Sequence, residues 1–509
     1  MSNILAIQGE SIVLPLQNAA STFPLFKRIA HLPYACFLDS AVPSPTLGRY
    51  SYMSADPFGV FKVQDKKTLW QNKALNGPPL ASLQQLLAAF SHPGRPNLPP
   101  FQGGAMGYMS YEAGRLFEKL PETRQEDNRL PDIQLPFYDC VIAIDHFADG
   151  PGQPQRDQAW LISTGILASG HFCPRVARER LEYFKALLEQ PEPDLPNAPI
   201  LSTWQASKSR LAFEASILRT KDYILDGDIF QANITQQFSR AWNMDLNETP
   251  LALYNNLRQM NAAPFAGYFH AGDHVIASSS PERFLVLDED GKVEARPIKG
   301  TAPRDLKDRR QDTLNAKALE NSEKDRAENV MITDLLRNDL SRICQPGSIK
   351  VPDLCKLESY ARVHHLVSTV TGKMKNGLGA TALLGATFPG GSITGAPKIR
   401  AMEIITELED LPRNIYCGSM GYISFGGAMD TNIAIRTLTI RPDEIVFNVG
   451  GGITALSDPD AEYEECLHKA NAIFKACGTN LETERPNLER GPQYTQTQMA
   501  EHSEEGTSS

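Results

Sequence analysis

Residues 294–304, Glu-Ala-Arg-Pro-Ile-Lys-Gly-Thr-Ala-Pro-Arg, are the stretch on which the reading of this 509-residue chain turns. Val293 and Ala295 alternate with polar neighbours and predict a strand, and a short polar segment leaves it around Lys299. Pro297 fixes φ just before the lysine, while Gly300 lets the backbone approach a bound group closely. A polar segment aimed by a rigid strand is a common carrier of chemistry. Lys299 is then a surface residue in a turn, an anchoring cation, or a nucleophilic amine of lowered pKa. The rest of the chain has to separate these readings.

Composition narrows the class. Hydrophobic content of 41% and charged content of 22% are those of a globular protein long enough for one large or several smaller domains. A net charge of −10 argues against a nucleic-acid or anionic-membrane surface, though not against a small anion in a local basic pocket. The eight cysteines form no Cys-x-x-Cys pair, which predicts neither a zinc site nor a disulfide framework. The first ten residues lack a basic, apolar leader and no apolar run reaches spanning length, so a cytoplasmic, reduced protein is expected.

Outward from Lys299 the elements are regular. Residues 1–200 read as strands and short helices broken by proline-rich loops, with 119–136 as a charged loop and a polar linker at Glu189–Pro199. Phe213, Ile217, Tyr223 and Ile224 make a helical face ending at Gly227. Ile229–Phe238 predicts a strand with Gln231, Asn233, Thr235 and Gln237 on one side. Further strands are expected at 264–270, 273–279, 283–287, 363–371, 418–425, 430–440 and 444–449, the last ending in Gly450-Gly451-Gly452. Helices are expected over 308–342, 379–386, from the 388–398 loop to Glu409, and from Pro459 to Ala476 behind the cap Asp458. The organisation is an N-terminal region 1–200, a region 201–480 that carries the chemistry, and a polar, disordered tail 481–509.

Several side chains could act together. Glu462 and Glu465 share a helix face, and Glu328 sits on another helix; three carboxylates suit Mg²⁺, or else are solvated faces with Glu465 paired to Lys469. Gly450-Gly451-Gly452 could present N–H groups to a carboxylate or be a flexible turn, and the 390–395 turn before a helix could do the same. Arg436 and Lys469 are candidate cations for an anion, and Glu282 a proton-transfer group. His365, in an apolar strand, is a core or a catalytic histidine.

Taken together, Ser-Pro-Glu-Arg-Phe (280–284), Pro-Ile-Lys-Gly-Thr (297–301), Lys-Asp-Arg-Ala-Glu-Asn (324–329), His-Leu-Val-Ser (365–368), Gly-Gly-Ser-Ile-Thr-Gly-Ala-Pro-Lys (390–398), Ile-Arg-Thr (435–437) and Gly-Gly-Gly-Ile (450–453) resemble the chorismate-utilising enzymes. That family includes anthranilate, aminodeoxychorismate, isochorismate and salicylate synthases. The resemblance spans residues 30–478 and implies an α/β (α+β) fold: a single large chorismate-binding domain of two packed β-sheets flanked by helices.

Lys299 points to the aminodeoxychorismate synthase component I branch, because the matching position in anthranilate synthase is alanine. The activity so implied is amination of chorismate at C4, on the way to 4-aminobenzoate and folate, through a covalent adduct on Lys299. Anthranilate synthase component I is the alternative. The resemblance further implies Glu282 as the acid, His365 near the ring, and Mg²⁺ on Glu328, Glu462 and Glu465. Gly300, Thr301, Tyr422, Arg436, Gly450, Gly451, Gly452 and Lys469 would surround the substrate. Ammonia would come from a separate glutamine amidotransferase subunit, since no Gly-x-Cys-x-Gly turn occurs in this sequence. Some members hold tryptophan, for which Ser40, Tyr50, Pro264 and Phe265 are the matching wall.

Overall fold

Period-two alternation sets the layers of this molecule. In the strand Gln231–Ala241, Ala232, Ile234 and Phe238 belong to an apolar cluster shared with helices, so Gln231, Asn233 and Thr235 leave the opposite face. The structure, a computed structural model, describes residues 11–492 apart from 17–21, 124–128, 151–152, 154, 197–202, 242–244, 248 and 361–362.

Among the described residues the strands form two antiparallel sheets of twelve strands each. Both draw on each side of residue 200: Cys36–Asp39 pairs with Phe265–His270 in the first sheet, and Gly104–Met109 with Ser419–Ser424 in the second. Three apolar clusters fill the layers. One joins the first sheet to the helices Arg210–Leu225, Lys398–Glu409 and Pro459–Ala476. Another joins the second sheet to Pro79–Ala89, Glu323–Ser341 and Ala380–Thr387. The third, with Tyr52, Tyr108, Tyr138, Phe269 and Tyr422, lies between the sheets. The expected fold, two packed sheets with helices outside, is what the chain adopts.

Five local expectations need correction. The 430–440 run is two strands, Met429–Asn432 in the second sheet and Thr437–Ile440 in the first. The chain crosses between sheets at Ile433–Arg436, and Arg436 takes a left-handed φ of 52° to do so. Gly450-Gly451-Gly452 is not a turn but part of the strand Glu444–Ile453, paired throughout with Gln231–Ala241. The Lys299 segment is likewise a strand, Ile298–Pro303, against Val363–Lys373. Residues 119–136 are not all loop, because Ile133–Tyr138 is a buried strand. The tail begins later than 481: Leu481–Leu488 is a helix capped by Asn480, with Leu481 and Leu488 buried and Glu484 accepting from Trp204 N at 3.0 Å. Residues 493–509 lie outside the described residues. Thr249–Met260, a helix with Asn255-Asn256 at its middle, and the strand Lys350–Ser359 went unannounced by the pattern.

All eight cysteines are free. No helix among the described residues is long and apolar enough to cross a membrane.

Candidate active site

A β-bulge aims Lys299. Ile298 pairs with Val367 and Thr301 with His365, so one extra residue is inserted on the lysine's strand. Gly300 absorbs the distortion with φ of +85°, and a Cβ there would come within 2.9 Å of Asp325 and Leu319. The lysine side chain is left 13% exposed, with Nζ 3.9 Å from Glu328 Oε2. Burial lowers its pKa below the ordinary value, against the pull of Glu328 and Glu282.

It projects into a cavity of about 510 Å³ that gathers nearly all the expected site. Glu282, Lys299, Gly300, Thr301, Glu328, His365, Arg436, the three glycines, Glu462, Glu465 and Lys469 all line it. The carboxylates come from Glu323–Ser341 and Pro459–Ala476, the glycines from Glu444–Ile453, and Arg436 from the sheet-crossing segment.

Glu282 is buried, and desolvation raises its pKa to about 7 despite a 3.0 Å hydrogen bond from Ser392 Oγ and the charge of Lys299. It can therefore hold a proton near neutrality and give it up. Thr301 Oγ1 meets His365 Nδ1 at 2.9 Å, and burial, helped by Arg436, lowers the histidine to about 4. His365 thus faces the cavity as a neutral imidazole, while its neighbour His364 is the buried one, held by Ser359 and Asp312. Arg436 is desolvated and meets Asn261 Oδ1 at 3.4 Å. Lys469 Nζ bridges Gly450 O at 3.0 Å and Glu465 Oε1 at 2.7 Å.

The expected donors, Glu328, Glu462 and Glu465, are all carboxylates, a type of oxygen ligand that suits a hard divalent cation. Burial raises the Glu328 pKa, and the charges of Asp325 and Glu462 add to it, a repulsion that a cation would relieve. The groups are not a ready-made shell, however. Glu462 Oε1 accepts from Ser457 Oγ at 2.7 Å and Glu465 is paired with Lys469. Among the described residues no three such side chains converge as a metal cluster. Side-chain rotation would have to bring them together.

One expectation fails on position. Tyr422 does not line this cavity; its ring meets Tyr52 edge to face and lies tilted against Phe101, and it walls a second cavity of about 250 Å³ between the sheets. Ser40, Tyr50, Pro264 and Phe265 line that second cavity together. Conversely, the sequence reading passed over Ser392, Tyr416, Asn448 and Asn233 as site residues, all of which line the Lys299 cavity. The signal for Asn233 was present in the polar side of its strand, and that for Ser392 in the Gly-Gly-Ser turn.

A sequence profile described as chorismate binding enzyme matches residues 35–475. Aminodeoxychorismate synthase component 1 of Escherichia coli K12 is 40% identical over 464 residues, 90% of this chain and 96% of that protein. Anthranilate synthase component 1 of Pseudomonas aeruginosa is 35% identical over 471 residues, 89% and 92% of the two chains. The structure is similar to that of anthranilate synthase component I from Streptococcus pneumoniae, with a TM-score of 0.73 and 28% identity, covering 85% of this chain and 93% of the other.

Proposed function

The chain belongs to the chorismate binding enzyme family, and from that premise we propose that it aminates chorismate at C4 to 4-amino-4-deoxychorismate. The observation that carries this reading is a desolvated Lys299 amine sharing one cavity with a carboxyl poised near pKa 7. The likeness to aminodeoxychorismate synthase component 1 proteins supports it.

The residues divide the work. Arg436, Lys469 and the N–H groups of the glycine strand hold the substrate's carboxylates, and the neutral His365 sits beside the ring. Lys299 Nζ, as free amine, forms a bond to ring C2; the ring double bonds shift and the C–O bond at C4 breaks. Glu282 gives its proton to that oxygen, which leaves as water. Ammonia then bonds to C4, the double bonds shift back, and the C2–N bond to Lys299 breaks. The surplus proton on the new amine returns to Glu282, and the lysine regains the electron pair it first donated. Glu328, Glu462 and Glu465 would hold Mg²⁺, whose chemistry is to neutralise the ring carboxylate. In keeping with a component I, ammonia would be supplied by a separate glutamine amidotransferase subunit. The second cavity, with Ser40, Tyr50, Pro264 and Phe265, would hold tryptophan.

The decisive experiment is mass-spectrometric identification of the product made from chorismate, ammonium and Mg²⁺. A 4-amino diene retaining the enolpyruvyl group supports the reading; anthranilate with pyruvate would make the chain an anthranilate synthase instead.

A further inference from the structure

Glu328 Oε2 lies 3.9 Å from Lys299 Nζ, and the residue after Glu328 ties their two elements together. Asn329 is fully buried on the helix Glu323–Ser341 and is the first side chain of that helix to be so. Buried apolar residues begin only at Ile332. The core therefore grips the far part of the helix, and apolar packing has no direction of its own. The turn that carries Glu328 is held by directional polar contacts instead.

Asn329 Nδ2 donates to Leu366 O at 3.1 Å, and Asn329 Oδ1 accepts from Ser368 Oγ. Ser368, also fully buried, belongs to the strand Val363–Lys373. Its Oγ accepts from Cys355 N at 2.9 Å, and its backbone N donates to Pro297 O at 3.2 Å. Cys355 sits where the pairing of its strand slips, with φ of 50°, and its Sγ reaches back to Arg326 O at 3.7 Å.

Two side chains thus join three segments of the site. Pro297 leads into the bulge that aims Lys299, Leu366 follows His365, and Asn329 follows Glu328. Each lies within two residues of a group lining the Lys299 cavity. A carboxylate on a flexible stem is aimed only if its backbone is held, which is the work of the hydrogen bonds behind it.

We propose that Asn329, held by Ser368, is a positioning residue that fixes Glu328 opposite Lys299. The carboxylate set for Mg²⁺ and the attacking amine then keep one separation. The assignment rests on the amination reading, in which both groups act on one substrate.

The test uses the full chain with chorismate, ammonium chloride and Mg²⁺. Asn329→Leu, close in volume but without either hydrogen bond, should lower kcat about tenfold or more and weaken Mg²⁺ binding, read by calorimetry without substrate, by a similar factor. KM for chorismate should stay within about twofold, because the groups assigned to its carboxylates are untouched. Ser368→Ala should move both readouts the same way, and Ser368→Thr, which keeps the hydroxyl, should return both towards the parent values. A lower melting temperature with kcat per folded chain and Mg²⁺ affinity unchanged would make the network structural only and overturn the proposal. Equal losses in Ser368→Thr and Ser368→Ala overturn it too. Should Asn329→Leu fail to fold, parent kcat and Mg²⁺ affinity in Ser368→Ala overturn it. If the parent chain makes no amino product, the amination reading has failed; the calorimetry needs no turnover and still decides whether Asn329 holds Glu328.

Discussion

Ser392 Oγ donates to Glu282 Oε1 at 3.0 Å, joining the short 3-10 helix Gly391–Ile393 to a loop 110 positions away in the chain. The bond favours the ionised carboxyl, yet burial wins and leaves the group at about 7. Its folded pKa is thus above that of an exposed carboxyl, so its contribution to stability is complete below the unfolded pKa and is lost as pH rises through about 7. Glu282→Gln, which never ionises, should gain on the parent chain at pH 8 by on the order of 2 kcal/mol while losing turnover. Urea unfolding of both chains at pH 5 and pH 8 checks this; a difference that does not change with pH rules it out. Ser392→Ala should move the alkaline limb of kcat/KM for chorismate to higher pH, because the carboxyl then holds its proton longer.

Lys299→Ala should abolish C4 amination at ordinary ammonia levels. With chorismate and no ammonia, the parent chain should show a mass increase on the Lys299 peptide equal to chorismate less water. Residual activity in Lys299→Ala should appear as ammonia added at C2, giving 2-amino-2-deoxyisochorismate. Substantial 4-amino product from that variant, with no adduct under any condition, would exclude the covalent route.

Glu328→Gln and Glu465→Gln should each cut Mg²⁺-dependent turnover by about 100-fold or more without changing the unfolding midpoint in chelator, since each deletes an anionic oxygen. Activity and thermal unfolding across a Mg²⁺ titration read both effects. Full activity in Glu465→Gln would remove that residue from the metal set.

The two inward glycines should behave differently on substitution. A Cβ at Gly450 would meet the backbone oxygen of Ile234, which cannot move aside, whereas at Gly452 it meets the end of the Gln231 side chain. Gly450→Ala should cost roughly 1–3 kcal/mol of stability, and Gly452→Ala less stability but more activity. Paired measurement of unfolding and kcat distinguishes them.

Arg413, 2% exposed, binds both carboxylate oxygens of Glu409 and donates to Asn233 O and, at 3.0 Å, to Ile393 O. Those carbonyls belong to two walls of the active cavity. Arg413→Met strands a buried carboxylate and should cost about 3–5 kcal/mol. The double variant Arg413→Met, Glu409→Leu should recover a good part of it, by the same measurement.

Much of this was legible in residue order. The helix Pro459–Ala476 announced itself through Asp458 and Pro459, and its glutamates three apart could only share a face. Other features were not. The glycine run reads as a turn until the strand Gln231–Ala241 is laid beside it, because glycine has no local preference for extension. The resemblance that placed Tyr422 beside the substrate carries no register, and the face its strand turns to the second cavity shows only once the partner strand is laid beside it. Ser392 gave no sign of its target, which lies on a distant loop.

Residue order set most of the kinds of element and the chemical inventory: a lysine shortly after a proline, carboxylates at helical spacing, candidate cations and a run of three glycines. Those follow from backbone sterics and side-chain chemistry, which act over a few residues. Which of these groups share a cavity, that a bulge turns Lys299 into it, and that burial pushes Glu282 up to about 7 came from the packing of distant segments. Each of those depends on what surrounds a group rather than what precedes it, because the free energy of a charge is set by the water that folding removes and the neighbours it brings.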